Sequence, residues 1–149
     1  MKNIGLNLLL LVFFGIISCH KTTEIDPILY PLKEYTLDLQ QAKIWLPGKW
    51  KLMRESSMLL NSTLPNVELI IDENQISVIE DGTQIDKVDY KIVKLEYQVG
   101  DYLQIHTNAQ PRENNWYVRN PTLYINEDRM YFDLGRAQDL PAYEFSRVN

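Results

Sequence analysis

The sequence contains one cysteine, Cys19, and only two histidines, His20 and His106, among its 149 residues. A single cysteine cannot form an intramolecular disulfide, so stability has to come from packing of the chain itself. The histidines are far apart, and no spacing typical of a metal site occurs, so we expect no metal. A catalytic triad, a nucleophile elbow and a phosphate-binding loop are also missing. We therefore expect a protein that is not an enzyme and binds no cofactor.

Basic residues are too few for a nucleic-acid-binding surface. The chain has 15 Lys and Arg against 20 Asp and Glu, a net charge of −5. No stripe of Lys or Arg is available to replace counterions on a phosphate backbone, and no basic amphipathic helix is available to bind a membrane surface. We expect no nucleic-acid partner and interpret the acidic balance as an aid to solubility.

The longest apolar run, Leu6–Ile17, has the composition of a secretory leader. It is too short to span a bilayer comfortably. Lys2 supplies the basic start, and Ser18 supplies a small residue directly before Cys19. The residues Ile16-Ile17-Ser18-Cys19 resemble the lipobox of bacterial lipoproteins, which is an aliphatic residue, a variable one, a small one and a cysteine.

This resemblance implies that residues 1–18 are a signal peptide and that Cys19 becomes the acylated N-terminus. Each buried CH₂ contributes about 0.8 kcal/mol, so two or more chains anchor a protein where one chain does not. Loss of the leader removes one lysine and no acid, which changes the net charge from −5 to about −6. The implied location is the cell envelope, on a bacterial outer membrane, with the domain periplasmic or surface-exposed. The alternatives are an ordinary signal peptide and a buried cysteine that follows an apolar stretch by chance.

Residues 19–43 are predicted to form a tether and a short helical segment. The stretch His20–Pro31 is polar at first and contains two prolines, which suits a spacer. Tyr35–Ala42 predicts one or two helical turns. The remaining residues, 44–149, are enough for one compact domain.

Within residues 44–149 the apolar pattern has a period of two. Asp72–Asn74 and Asp81–Gly82 have the composition of tight hairpin turns. We predict eight strands with mostly short connections: Lys49–Ser57, Val67–Ile71, Gln75–Ile79, Lys87–Val93, Tyr102–Thr107, Thr122–Asn126, Arg129–Leu134 and Ala142–Val148. The predicted fold class is all-β, an antiparallel up-and-down barrel preceded by a short helical turn. Closure removes the strand edges that invite aggregation.

Along these strands every second residue is apolar, while charged residues such as Glu68 and Lys87 occupy the positions between them. We predict that the apolar set faces inward: Trp50, Leu52, Leu69, Ile71, Ile76, Val78, Val88, Tyr90, Ile92, Leu103, Ile105, Met130, Phe132, Tyr143 and Phe145.

Two short motifs stand at the ends of the predicted barrel. Gly48-Lys49-Trp50 is near the start of the first strand, and Arg147 is in the last. Together with the eight-strand spacing, they resemble the lipocalin-like branch of the calycins. The resemblance implies that Gly48, Trp50 and Arg147 close the base of the barrel as structural residues. A guanidinium stacked on an indole contributes about 0.5–2 kcal/mol.

Two lipocalin features are absent from the sequence: a disulfide pair and a long helix before the last strand. The sequence therefore leaves open whether the barrel has a roomy cavity or an interior filled by its own side chains.

Three residues are candidates for a ligand site in the barrel mouth. Arg54 shares the strand parity of Trp50 and points inward in an unbulged strand, where its charge requires a partner. It would meet a ligand carboxylate or phosphate; the alternatives are a position near the mouth and an internal ion pair. Tyr90 belongs to the set of strand residues that are predicted to face the barrel interior. Trp116, in the long connection Asn108–Pro121, is a lid or partner contact, or else covers the core or starts a strand.

These observations leave two functional hypotheses. The first is a membrane-anchored lipocalin-like lipoprotein that binds a small, partly apolar molecule in the barrel mouth. The alternative is a filled barrel that acts as a structural or protein-interaction lipoprotein. Space for a ligand distinguishes the two.

Overall fold

A computed structural model describes residues 35–56, 63–98, 100–108, 118–135 and 140–149. Cys19 and Trp116 lie outside these residues, as do the leader and most of the predicted tether. The elements in chain order are α1 (Leu39–Trp45), β1 (Gly48–Ser56), β2 (Val67–Ile71), β3 (Gln75–Glu80), β4 (Thr83–Tyr97), β5 (Gly100–Thr107), β6 (Thr122–Ile125), β7 (Arg129–Asp133) and β8 (Ala142–Val148).

The eight strands form a closed antiparallel barrel. Each strand pairs with the next one in sequence, and β8 pairs with β1 to complete the ring. Trp50 of β1, for example, is opposite Leu69 of β2 on one side and Arg147 of β8 on the other. The predicted all-β, up-and-down, lipocalin-like architecture is therefore confirmed.

The strand alternation defines two ends of the barrel. We call the end that carries α1 and the β2–β3, β4–β5 and β6–β7 connections the closed end. The mouth end carries the other four connections. Residues 57–62, 109–117 and 136–139 of the mouth-end connections lie outside the described residues. The described structure is therefore more complete at the closed end.

The predicted N-terminal helix is present, but it begins later than expected. Asp38 is its N-cap, and the side-chain Oδ1 accepts hydrogen bonds from the backbone N–H of Gln40 (2.7 Å) and Gln41 (3.1 Å). This capping favours a start after Asp38 rather than at Tyr35. The apolar face of α1 buries Ala42, and the following Leu46 is buried as well. The helix therefore closes one end of the barrel.

Strand β4 is 15 residues long and exceeds its predicted length at both ends. It begins directly after a two-residue turn in which Asp81 (φ 49°) and Gly82 (φ 79°) both have positive φ, as a type I′ hairpin requires. Its first half pairs with β3 and its second half, from Tyr90 onward, pairs with β5. Tyr90 thus marks the place where β4 changes partners.

The predicted inward-facing residues form the core. All are buried except Tyr90 and Ile92, which are half-buried and pack against the rest. Side chains that had not been assigned to the core are also buried: Ala42, Leu46, Val67, Val118, Leu123 and Ile125. Because the buried members are at most 4% exposed, they form a closely packed core. The described part of the barrel therefore has a packed interior.

Candidate functional site

Arg147 joins three parts of the closed end. Its Nε donates a hydrogen bond to the carbonyl oxygen of Glu127 (2.7 Å), in the β6–β7 connection. Its Nη1 donates to the carbonyl oxygen of Pro47 (3.0 Å), and its Nη2 donates to that of Trp45. The guanidinium carbon is 4.2 Å from the centroid of the Trp50 ring. One side chain thus links the end of β8 to the β6–β7 connection and to the segment between α1 and β1.

Gly48 and Trp50 complete this cluster. Trp50 is fully buried, and its Nε1 donates to the carbonyl oxygen of Leu46 (2.9 Å). Gly48 has φ +142°, and a Cβ there would overlap Nη1 of Arg147. Glycine is therefore needed both for its backbone conformation and for the close approach of the guanidinium. The structure brings the three residues together through contacts with one another and with the main chain.

Arg54 does not point into the barrel. Leu52 pairs with Phe145 but Arg54 pairs with Glu144, so Met53 is an extra residue in a β-bulge. The bulge turns Arg54 outward, where its side chain is 52% exposed and its Nε is 3.9 Å from Oε2 of Glu144. The inward orientation that an unbulged strand would give Arg54 therefore does not occur. The apolar Met53 at an outward position was the available sequence signal.

Tyr90 is held by the β2–β3 connection. Its backbone N–H donates to the carbonyl oxygen of Asn74 (2.8 Å), and its hydroxyl donates to that of Asp72 (2.7 Å). Burial, followed by the nearby charges of Asp72 and Glu73, raises the pKa of Tyr90 to about 12. The hydroxyl therefore stays protonated well above neutral pH, and its hydrogen bond to Asp72 holds the ring against the β2–β3 connection.

A cleft of about 440 Å³ opens beside Tyr90, and we call it the Tyr90 cleft. Its volume is within the range of small-molecule sites. The lining comes from the end of α1 and its connection to β1, from the β2–β3 connection and from β4: Lys43, Pro47, Glu73, Tyr90, Lys91 and Ile92. The cleft therefore lies outside the packed interior, towards the closed end.

The lining of the Tyr90 cleft is amphipathic. Tyr90, Pro47 and Ile92 provide apolar surface, while Lys43 and Lys91 contribute ammonium groups and Glu73 a carboxylate. Within the described ranges, neither lysine takes part in an ion pair. The arrangement is chemically suited to a molecule with an apolar body and an anionic group.

A shallower depression of about 370 Å³ lies on the β5 side of Tyr90 and includes Asp89, Lys91 and His106. Asp89 is already engaged, since its Oδ1 accepts from Nε2 of Gln75 (2.9 Å) and its Oδ2 from Nδ2 of Asn108 (2.8 Å). These hydrogen bonds connect β3, β4 and the end of β5. We interpret Asp89 as a structural link.

His106 is also engaged locally. Its Nε2 lies 2.7 Å from Oε1 of Gln104, a hydrogen bond within β5. In the part of the chain that the structure covers, no three His, Cys, Asp or Glu side chains are grouped to hold a metal ion.

Two predicted site residues lie outside the described ranges. The lipidation of Cys19 and the lid function of Trp116 therefore stay predictions. Of the ligand candidates within the described residues, Tyr90 lines a cleft and Arg54 points outward. The described helices include none that is long and apolar enough to cross a membrane.

Comparison of the chain with known protein families, with curated proteins and with solved structures finds no match. The likeness to lipocalins therefore rests on the closed eight-strand barrel and on the cluster of Gly48, Trp50 and Arg147.

Proposed function

We propose that this protein is a lipid-anchored lipoprotein of a bacterial cell envelope whose lipocalin-like barrel binds a small, partly apolar ligand. The anchor is supported by the leader composition and by the lipobox-like Ile16–Cys19. The binding function is supported by the fold and by the Tyr90 cleft. In this proposal the protein is not an enzyme, and it binds neither cofactor nor nucleic acid.

The observation that carries the ligand proposal is an amphipathic cleft beside a packed interior. The inward side chains of the described barrel are buried or half-buried. The Tyr90 cleft, by contrast, combines about 440 Å³ of space with apolar walls and two lysines. A site of this kind gains affinity from apolar contact and gains orientation from its few charged groups. We therefore place the ligand in the Tyr90 cleft rather than deep within the barrel.

A probe of matching chemistry tests this site. The probe is 1-anilinonaphthalene-8-sulfonate, which has an apolar ring system and one anionic group, and the protein is the processed chain with Cys19→Ser. We expect backbone NMR shift changes to be largest near Lys43, Glu73 and Lys91. Removing one charged contact by Lys91→Ala should weaken binding about three- to tenfold.

The matched control is Lys87→Ala. Lys87 is also an exposed lysine of β4, but it does not line the cleft. Its substitution should leave probe affinity unchanged within about twofold. Equal losses in both variants, or shift changes spread over the buried core, would contradict the proposed site.

The packed interior also favours a second function, that of a filled barrel acting in protein interaction. In this case the outer wall of the barrel contacts a partner protein and no small molecule is carried. A photo-crosslinking residue at Met53, which is 55% exposed, tests this in cells. One discrete heterologous adduct, together with failure of the probe to bind, would favour this second function over the first.

The proposed anchor has its own test. The intact mass of the protein from membranes should correspond to a chain that begins at Cys19 and carries acyl groups. Cys19→Ser should abolish the acylation and release the protein from the membrane fraction, because no other lipid attachment is proposed. An unacylated variant that has lost residues 1–18 and is still fully membrane-bound would contradict the anchor.

A further inference from the structure

Three exposed apolar side chains are located at the closed end. Leu37 is 43% exposed, Ile44 is 70% exposed and Tyr97 is 56% exposed. Leu37 immediately precedes the N-cap of α1, and Ile44 is within the helix. Tyr97 is the last residue of β4 and stacks on Tyr102, with ring centroids 5.2 Å apart.

Helix α1 packs against β4, the first strand of the β4–β5 hairpin. Nζ of Lys94 is 2.8 Å from Oδ2 of Asp101 across this hairpin. The hydrogen bond to Asp101 and the charge of Asp101 raise the pKa of Lys94, with smaller contributions from Glu96 and then Asp38. Asp38 caps α1. Helix α1 and the β4–β5 connection therefore lie at the same end of the barrel.

The N-terminal segment reaches the described fold at this same end. The backbone N–H of Thr36 donates to the carbonyl oxygen of Ile125 (2.9 Å), the last residue of β6. The end of β6 is at the closed end. Residues 20–34 separate Cys19 from the described chain, and a segment of this length spans at most roughly 58 Å. An anchor at Cys19 thus keeps the closed end within that distance of the bilayer.

We infer that the closed end rests on the bilayer, with Leu37, Ile44 and Tyr97 in the headgroup region. This inference depends on the lipid anchor of the proposed function. Tyrosine suits the membrane interface because its ring is apolar and its hydroxyl remains hydrated. Tethering gives a weak apolar contact a high effective concentration, so no large patch is needed.

Charge does not drive this contact. The full chain has a net charge of −5; at this end the Lys94 ammonium is paired with Asp101, and Lys43 and Lys91 line the Tyr90 cleft. Apolar insertion is not screened by salt, whereas attraction to anionic lipids is. The contact should therefore form on vesicles of phosphatidylethanolamine and phosphatidylcholine and persist at high salt.

Introduced thiols provide the test. Cys19 is the only native cysteine, and its sulfur is consumed by acylation, so an added cysteine is the only free thiol in the lipidated protein. Ile44→Cys and Tyr97→Cys report on the closed end. Met53→Cys and Leu140→Cys are matched controls, since the native side chains are 55% and 46% exposed and lie elsewhere on the barrel. Melting curves establish that each variant is folded.

The measured quantity is the rate of reaction with a membrane-impermeant maleimide. The lipidated protein, added to preformed neutral vesicles, is compared with the unanchored Cys19→Ser form of each variant. We expect anchoring to slow labelling about tenfold or more at positions 44 and 97, and less than about twofold at positions 53 and 140. Addition of 0.5 M salt, on the order of the concentration that screens surface charge, should not change these ratios.

Flotation of the vesicles separates the two proposals. Protein that floats with vesicles but labels equally fast at all four positions retains the anchor and overturns the inference. Protein that does not float overturns both the anchor and the inference. The unanchored form could also label slowly at positions 44 and 97, with a rate that falls further as the protein concentration is raised. That result would identify a second copy of this chain as the occupant of the closed end and would also overturn the inference.

Discussion

Replacement of Arg147 by lysine tests how the closed end is held together. The guanidinium makes three hydrogen bonds to main-chain carbonyl groups and stacks on Trp50. Lysine keeps the positive charge but lacks the planar guanidinium with its several N–H donors. It therefore donates hydrogen bonds to fewer of these carbonyl groups and does not stack on the indole ring. Each hydrogen bond contributes about 0.5–1.5 kcal/mol net, and the stacking about 0.5–1 kcal/mol.

Loss of two hydrogen bonds and part of the stacking predicts that Arg147→Lys lowers the free energy of unfolding by about 2–3 kcal/mol. The assay is equilibrium unfolding in urea. With a slope of about 2 kcal/mol per M, the midpoint should fall by about 1–1.5 M while the slope stays unchanged. Arg147→Met should have an effect at least as large, because it also removes the charge.

Arg129→Lys is the matched control. Arg129 is on the neighbouring strand β7, its side chain is 48% exposed, and its Nη1 is 3.5 Å from Oε1 of Glu144. Exposed ion pairs of this kind contribute about 0–1 kcal/mol, so the midpoint should change little. If Arg147→Lys lowers the free energy of unfolding by less than about 0.5 kcal/mol, or by no more than the control does, then Arg147 does not stabilise the closed end as described.

Three further changes follow from local geometry. Gly48→Ala should destabilise the protein by about 2–4 kcal/mol in thermal unfolding, because Cβ meets Arg147 and φ is positive; a neutral effect would contradict this. Asp38→Ala should cost about 1 kcal/mol in urea unfolding through loss of the N-cap, and Asp38→Asn clearly less. The pKa of Tyr90 is about 12 in the folded state against 10.0 ordinarily, so its stabilising contribution is complete below pH 10 and disappears towards pH 12. Tyr90→Phe should therefore flatten the fall of the urea midpoint between pH 10 and 12, and an unchanged slope would contradict the assigned environment.

The barrel could be predicted because its alternation is regular and its turns have strong local chemistry. The apolar parity of β2, β3 and β5 corresponds to the buried residues in the structure. Asp81–Gly82 has the positive φ values that its composition suggested. The cluster of Gly48, Trp50 and Arg147 was expected from the resemblance to lipocalins, and in the structure the first strand lies beside the last.

The candidate site was harder to predict because it depends on several elements at once. The bulge at Met53 reverses the direction of Arg54, and a period of two does not show where one extra residue is inserted. The Tyr90 cleft combines α1, the β2–β3 connection and β4. The cleft lies where β4 stops pairing with β3 and, from Tyr90 onward, pairs with β5. This is a tertiary feature that no local pattern in the sequence encodes.

Native mass spectrometry tests the central claim, that this barrel carries a small ligand, most directly. The protein is purified without denaturation from the membranes of its natural source and compared with the same sample after unfolding and refolding. We predict a discrete additional mass that is lost on refolding, and a reduced occupancy of it when Lys91→Ala replaces the native chain in those cells. If every native sample contains only the acylated protein with no additional mass, the barrel does not carry a ligand. The remaining function would then be that of a filled-barrel interaction protein.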